Sequence, residues 1–128
     1  MREPIRDRHR LEHMIDHIDK VLSAAKNKTF EDVNDDPILF GAIAYYTMII
    51  GEAAYMLTKE FKESHPSIPW RQIEGMRHHI VHGYAQIRKD MLWNVVQDDL
   101  PSLKSQIEEI LSETKWDEYE KQDPKISN

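Results

Sequence analysis

Apolar residues recur at three- and four-residue steps along most of this chain. Over residues 5–26, Leu11, Met14, Ile15, Ile18, Val21, Leu22 and Ala25 share one stripe, with Arg, Asp and His on the other side. This predicts an amphipathic helix that Asn27, Lys28 and Thr29 end. A short acidic connection, Glu31 to Asp36, follows. Asp36-Pro37 opens a second predicted helix, the Asp as cap and the Pro in the first turn. It runs to about Lys62. Leu39, Ile43, Tyr46, Ile50, Ala53 and Leu57 form its stripe, and Ala42, Tyr45, Ile49 and Met56 widen it almost all the way round. So little polar surface implies burial on more than one side, either inside a monomeric bundle or against a second subunit. Gly41 and Gly51 each cost a helix about 1 kcal/mol relative to Ala, and close helix–helix approach would explain both.

His65-Pro66-Ser67-Ile68-Pro69 is a breaker. A third helix, begun near Pro69, carries Trp70, Ile73, Met76, Ile80 and Val81 and ends at Gly83. A loop through about Lys89 leads to Asp90, a candidate cap for a short helix bearing Leu92, Trp93, Val95 and Val96. Asp98-Asp99-Leu100-Pro101 demands a kink or restart, because Pro lacks an N–H and clashes with the preceding turn. Leu103, Ile107, Ile110 and Leu111 continue the stripe. From Lys115 the chain is polar and is expected to fray. No segment alternates with period two, and no glycine-rich phosphate loop is present. The fold class is therefore all-α: an antiparallel four-helix up-and-down bundle with a kinked or split last helix. The domain is expected over 1–114 and a polar tail over 115–128.

The 128 residues suit one domain. The absence of Cys removes disulfides, thiolate metal sites and Cys nucleophiles. No apolar run reaches the roughly 18–20 residues of a membrane span. Met1 to Arg10 is charged, with no apolar core for a secretory leader, so a cytoplasmic location is the expectation. The net charge of -6 looks wrong for a generic nucleic-acid binder. It is unevenly spread, however: residues 59–89 carry +3 and residues 90–128 carry -6. An acidic run of this kind is ordinarily a solvated face.

One dense polar cluster interrupts the pattern: Glu74-Gly75-Met76-Arg77-His78-His79-Ile80-Val81-His82-Gly83-Tyr84. Three chemistries compete for it. Glu74, His78 and His82 lie at i, i+4, i+8 and suit a metal, but a di-metal bundle needs matching ligands on facing helices. His13 and His17 are spaced i, i+4, while Glu52 is the only acid in the interior of the second helix. The His residues could simply be solvated. Or the cluster serves phosphodiester cleavage. There an imidazole with an ordinary pKa near 6.5 takes the 2′-OH proton, and a guanidinium matches the phosphate oxygens. Helix spacing puts Arg77 and Tyr84 on one side, and His82, beside Gly83, can turn toward Arg77.

Arg77-x4-His82-x-Tyr84 resembles the R-x4–6-H-x-Y motif of the HepT-type toxins of the HEPN superfamily. Flanking blocks extend the resemblance over roughly residues 10–112: Ile50-Gly51-Glu52-Ala53-Ala54, Pro69 through Arg77, Ile80 through Tyr84, Leu92-Trp93 and Asp99 through Leu103. The resemblance implies a homodimeric HEPN bundle and a metal-independent endoribonuclease without cofactor, its cleft built from both subunits. It makes Arg77 and His82 catalytic. It makes Tyr84 the residue on which a partner nucleotidyltransferase antitoxin places AMP taken from ATP, as in a type VII toxin–antitoxin pair. Such a phosphate would add charge and bulk at the cleft and pair with Arg77. Across a two-fold axis, Arg77, His78, His79, His82, Arg71, Arg88 and Lys89 would line one basic groove for RNA. Two positions depart from the family: His78 stands where Asn is usual, and Arg88 stands near a usual Asp. The alternative is a catalytically inactive module that binds RNA, nucleotide or a partner.

Overall fold

A computed structural model describes residues 6–82 and 88–121, apart from the side chains of Val81 and His82. Among the described residues the architecture is all-helical. Four main helices build the bundle: α1 (Asp7–Ala25), α3 (Pro37–Tyr55), α5 (Trp70–His82) and α7 (Leu100–Glu113). Four shorter ones intervene or follow: α2 (Phe30–Asn34), α4 (Lys59–Ser64), α6 (Lys89–Asn94) and α8 (Trp116–Glu120). The helices form the antiparallel up-and-down bundle that the periodicity predicts. α3 is central, packed on α1 along one side and on α5 along another, while α1 also packs on α7.

The core follows the predicted stripes. Leu11, Met14, Ile18 and Val21 of α1 meet Ile43, Ile50 and Ala54 of α3 and Leu100, Leu103 and Ile107 of α7. Asn27 takes a left-handed φ of 61° after α1, a conformation Asn tolerates better than most residues. Asp36 caps α3 as expected, its carboxylate accepting from the N–H groups of Ile38 and Leu39 at 3.1 Å.

Several expectations need correcting. Part of the acidic connection is helical, because Thr29 and Asp32 form a reciprocal capping box that starts α2. The second predicted helix does not continue to Lys62. It stops at Tyr55, and Thr58 caps a new helix, accepting from the Phe61 N–H at 3.2 Å. α3, at 19 residues, is long and apolar enough by composition to cross a membrane, contrary to the reading that no run approaches that length. Here α1 and α5 cover two of its sides and leave part of its apolar surface exposed. The predicted kink before Pro101 is a π-turn over Val95–Asp99 that runs straight into α7. The Leu100 N–H bonds the Val95 carbonyl, and Pro101 has no N–H to continue the tighter pattern. Arg88, rather than Asp90, occupies the cap position of α6. The predicted stop at Gly83 and the loop after it lie outside the described residues.

Among the described residues, 115–121 do not fray, since α8 forms there. Trp116 is buried and donates its indole N–H to the Leu111 carbonyl at 3.0 Å. Phe61 lies at the centre of an aromatic cluster with Trp70, Trp116 and Tyr119. Tyr119 reaches the buried carboxylate of Asp7, which also accepts from the Thr58 N–H at 2.9 Å and the Thr58 hydroxyl at 2.7 Å. Burial and the Asp7 hydrogen bond push the Tyr119 phenol well above its ordinary pKa, so it remains a neutral donor.

Candidate active site

The seam between α3 and α5 is built around Gly51. A Cβ added there would lie 2.9 Å from the Ile73 carbonyl oxygen, 3.0 Å from Arg77 Cβ and 3.1 Å from Arg77 N. Only a residue without a side chain allows this approach, which sets Arg77 directly against α3. The close-packing explanation for glycine holds at Gly51 and fails at Gly41, where nothing lies within 4 Å of such a Cβ.

Arg77 is half-exposed at the edge of this seam. Its Nε donates to Glu52 Oε2, and its guanidinium lies over the Tyr55 ring, 5.3 Å from the centroid. Glu52 and Tyr55 are themselves partly exposed. The site therefore combines a permanent cation, a carboxylate paired with its Nε and an aromatic ring over which it lies. The terminal nitrogens of a guanidinium form a fork that matches two oxygens of one phosphate.

The same surface of α3 carries an apolar strip. Ile38 and Tyr45 are 85% and 55% exposed, and Ile38, Tyr45 and Glu52 follow one another at seven-residue steps. This spacing puts them on one helix face, with Tyr55 three residues further on. The Arg77–Glu52 pair thus borders the largest exposed hydrophobic residues of the central helix.

The remaining predicted site residues are distributed as follows. His78 and His79 are exposed on α5, their rings 6.0 Å apart and edge to face. Arg71 is exposed near the start of α5. Lys89 lies over the Phe40 ring at 5.1 Å and donates to the Asn34 carbonyl at 3.4 Å. Arg88 pairs with Asp90 at 2.9 Å. Phe40 and Glu52 are twelve residues apart on α3, about 18 Å along its axis. The structure therefore does not bring Arg88 and Lys89 beside Arg77. His82 closes α5, but its side chain, like all of Tyr84, lies outside the described residues.

Glu74, the acid of the metal reading, forms an ion pair with Lys62 at 3.1 Å with both side chains largely covered. Among the described residues no group of three His, Asp or Glu side chains is arranged to hold a metal ion. His9, His13 and His17 form a column on α1, with ring centroids 6.5 and 4.4 Å apart. His17 is buried, donates to the His13 carbonyl at 3.0 Å and meets Tyr46 edge-on.

An all-α bundle that presents a half-exposed, pre-oriented arginine beside an apolar strip is the frame of a protein that handles polyanions at its surface. The comparisons give that frame a family: residues 14–110 match the family described as ribonuclease HepT-like, and the chain belongs to it. This makes it a ribonuclease by class. A candidate RNase of Caldanaerobacter subterraneus subsp. tengcongensis is 36% identical over 105 residues, spanning 82% of this chain and 94% of its own length. A candidate ribonuclease HepT of Thermococcus cleftensis is 34% identical over 100 residues, spanning 78% of this chain and 91% of its own. No solved structure matches the chain.

Glu52 and Tyr55 are the site residues that the sequence did not assign. Glu52 was visible as the only acid of an apolar helix, and a lone carboxylate in such a setting implies a cationic partner. Nothing in the sequence singled out Tyr55.

Proposed function

We propose that this ribonuclease is the toxin of a toxin–antitoxin pair and cleaves RNA in the cytoplasm as a homodimer, without a metal. His82 takes the proton from a ribose 2′-OH, and the 2′-oxygen attacks the adjacent phosphorus. The 5′-oxygen leaves and is protonated, giving a 2′,3′-cyclic phosphate and a 5′-hydroxyl end. Arg77 binds the phosphate oxygens as negative charge builds on them. The observation that carries this reading is the setting of Arg77: partly exposed, backed by Glu52 and Tyr55, and held in place through Gly51.

Ile38, Tyr45 and Tyr55 support the dimer. A two-fold contact through this strip would cover exposed apolar area and bring two copies of the Arg77 edge to one crevice. Tyr84 is the proposed switch, receiving AMP from a partner nucleotidyltransferase that uses ATP. The added phosphate would compete with RNA for Arg77.

The test is cleavage of RNA by the purified dimer with and without a chelator. Activity is expected to survive chelation and to fall by about a hundredfold or more in Arg77→Ala and His82→Ala. Loss of activity on chelation would refute the metal-free mechanism. RNA binding without cleavage by the unaltered chain would favour the non-catalytic module. Mass spectrometry after co-expression with the proposed nucleotidyltransferase partner is expected to place AMP on Tyr84, and unmodified Tyr84 would remove the switch.

A further inference from the structure

We infer that Tyr55 is a positioning residue for RNA cleavage, holding the plane of the Arg77 guanidinium so that its terminal nitrogens face a phosphate. The inference rests on the reading of Arg77 as the phosphate-binding group. An arginine side chain has several rotatable bonds, and one hydrogen bond at Nε leaves the guanidinium free to swing about that bond. The Tyr55 ring, 5.3 Å from the guanidinium carbon, supplies the missing restraint. The cation lies over the face of that ring, a contact that offers it no hydrogen-bond acceptor.

The two partners of Arg77 differ in what they cost the site. Glu52 neutralises part of the cation's charge and itself repels a phosphate. The Tyr55 ring holds the cation through its quadrupole and brings no net charge. Orientation can then be kept while the charge remains available to the substrate. Tyr55 is well placed for this: it is the last residue of α3, one turn beyond Glu52, and 43% exposed. The restraint therefore sits at the mouth of the site, where a phosphate approaches. It is the face of the ring that matters here; its hydroxyl is not required.

Two variants of the full chain, assayed as dimers, test this. Tyr55→Phe keeps the ring and is expected to retain cleavage within about twofold. Tyr55→Leu keeps apolar bulk without a ring and is expected to lower kcat by roughly tenfold. Size-exclusion elution and Tm should stay close to those of the unaltered chain in both. Equal losses in Phe and Leu would overturn the inference by pointing to the hydroxyl, and so would full activity in Leu.

Affinity for an RNA blocked by 2′-O-methylation gives an independent measure. Tyr55→Leu should weaken binding when Arg77 is present and add nothing in an Arg77→Ala background. Equal weakening in both backgrounds would mean that Tyr55 acts without Arg77, which also overturns the inference. The underlying reading fails separately, if Arg77→Ala cleaves as fast as the unaltered chain.

Discussion

Two carboxylates tie distant parts of this chain together, and they do so in opposite ways. Asp7 is fully buried and accepts from the Thr58 backbone, the Thr58 hydroxyl and the Tyr119 phenol. Glu52 is 44% exposed and pairs with Arg77. The first contact is saturated and closed to water, as a structural buried charge must be. The second is open, and its arginine retains donors that a substrate can use. Saturation and burial, rather than the strength of any one bond, separate the acid that builds the fold from the acid that serves the site.

That contrast can be broken directly. Asp7→Ala should have the largest effect. It removes the acceptor of the Thr58 N–H, the Thr58 hydroxyl and the Tyr119 phenol and should destabilise the protein by about 3 kcal/mol, read as a lower urea midpoint. Glu52→Gln should change the unfolding free energy by no more than about 0.5 kcal/mol while slowing RNA cleavage. If the two substitutions prove equally destabilising, the distinction between them fails.

The two helical glycines of α3 sharpen the comparison. Gly51→Ala forces a methyl against the backbone of α5 and should cost about 2 kcal/mol net, with a parallel loss of cleavage as Arg77 is displaced. Gly41→Ala meets open space and should stabilise the protein by up to about 1 kcal/mol. Thermal unfolding of the pair reads both signs.

The smallest expected effect is in the His column of α1. Burial, reinforced by His17 and His9 and by Lys20, holds the His13 imidazole below its ordinary value of 6.5, with Asp16 opposing the shift. Tyr46 of α3 faces the neighbouring His17. A base depressed by folding binds its proton more readily when unfolded. The stability from neutral His13 is therefore present above about pH 6.5 and lost as the pH falls toward the folded value. His13→Gln should lose less Tm than the unaltered chain between about pH 7.5 and pH 5.5, and parallel curves would dismiss the effect.

The sequence carried the bundle because its signals are local. The stripes of α1, the Asp36-Pro37 start of α3 and the apolar face of α5 are each read within a few turns. What escaped was set by partners far along the chain. α3 ends before Thr58 although Met56 and Leu57 continue its apolar pattern, and Thr58 is held by a residue 51 positions away. α8 sits in polar sequence, yet Trp116 finds Phe61 and Tyr119 finds Asp7, 112 positions away. The site divides in the same way. Arg77 was legible from its motif. Its setting was not, because Glu52 and Tyr55 belong to another helix, brought alongside at Gly51.

The bond between Asp7 and Tyr119 also holds the start of α1 against α8, the first and last helices among the described residues. A short linker could then join them, and the chain be opened afresh at Pro66–Ser67, between α4 and α5. Such a circular permutant would begin with the helix of Arg77 and carry that of Glu52 just before its final helix, so this pair would come from near opposite ends of a polypeptide folded into an unchanged bundle.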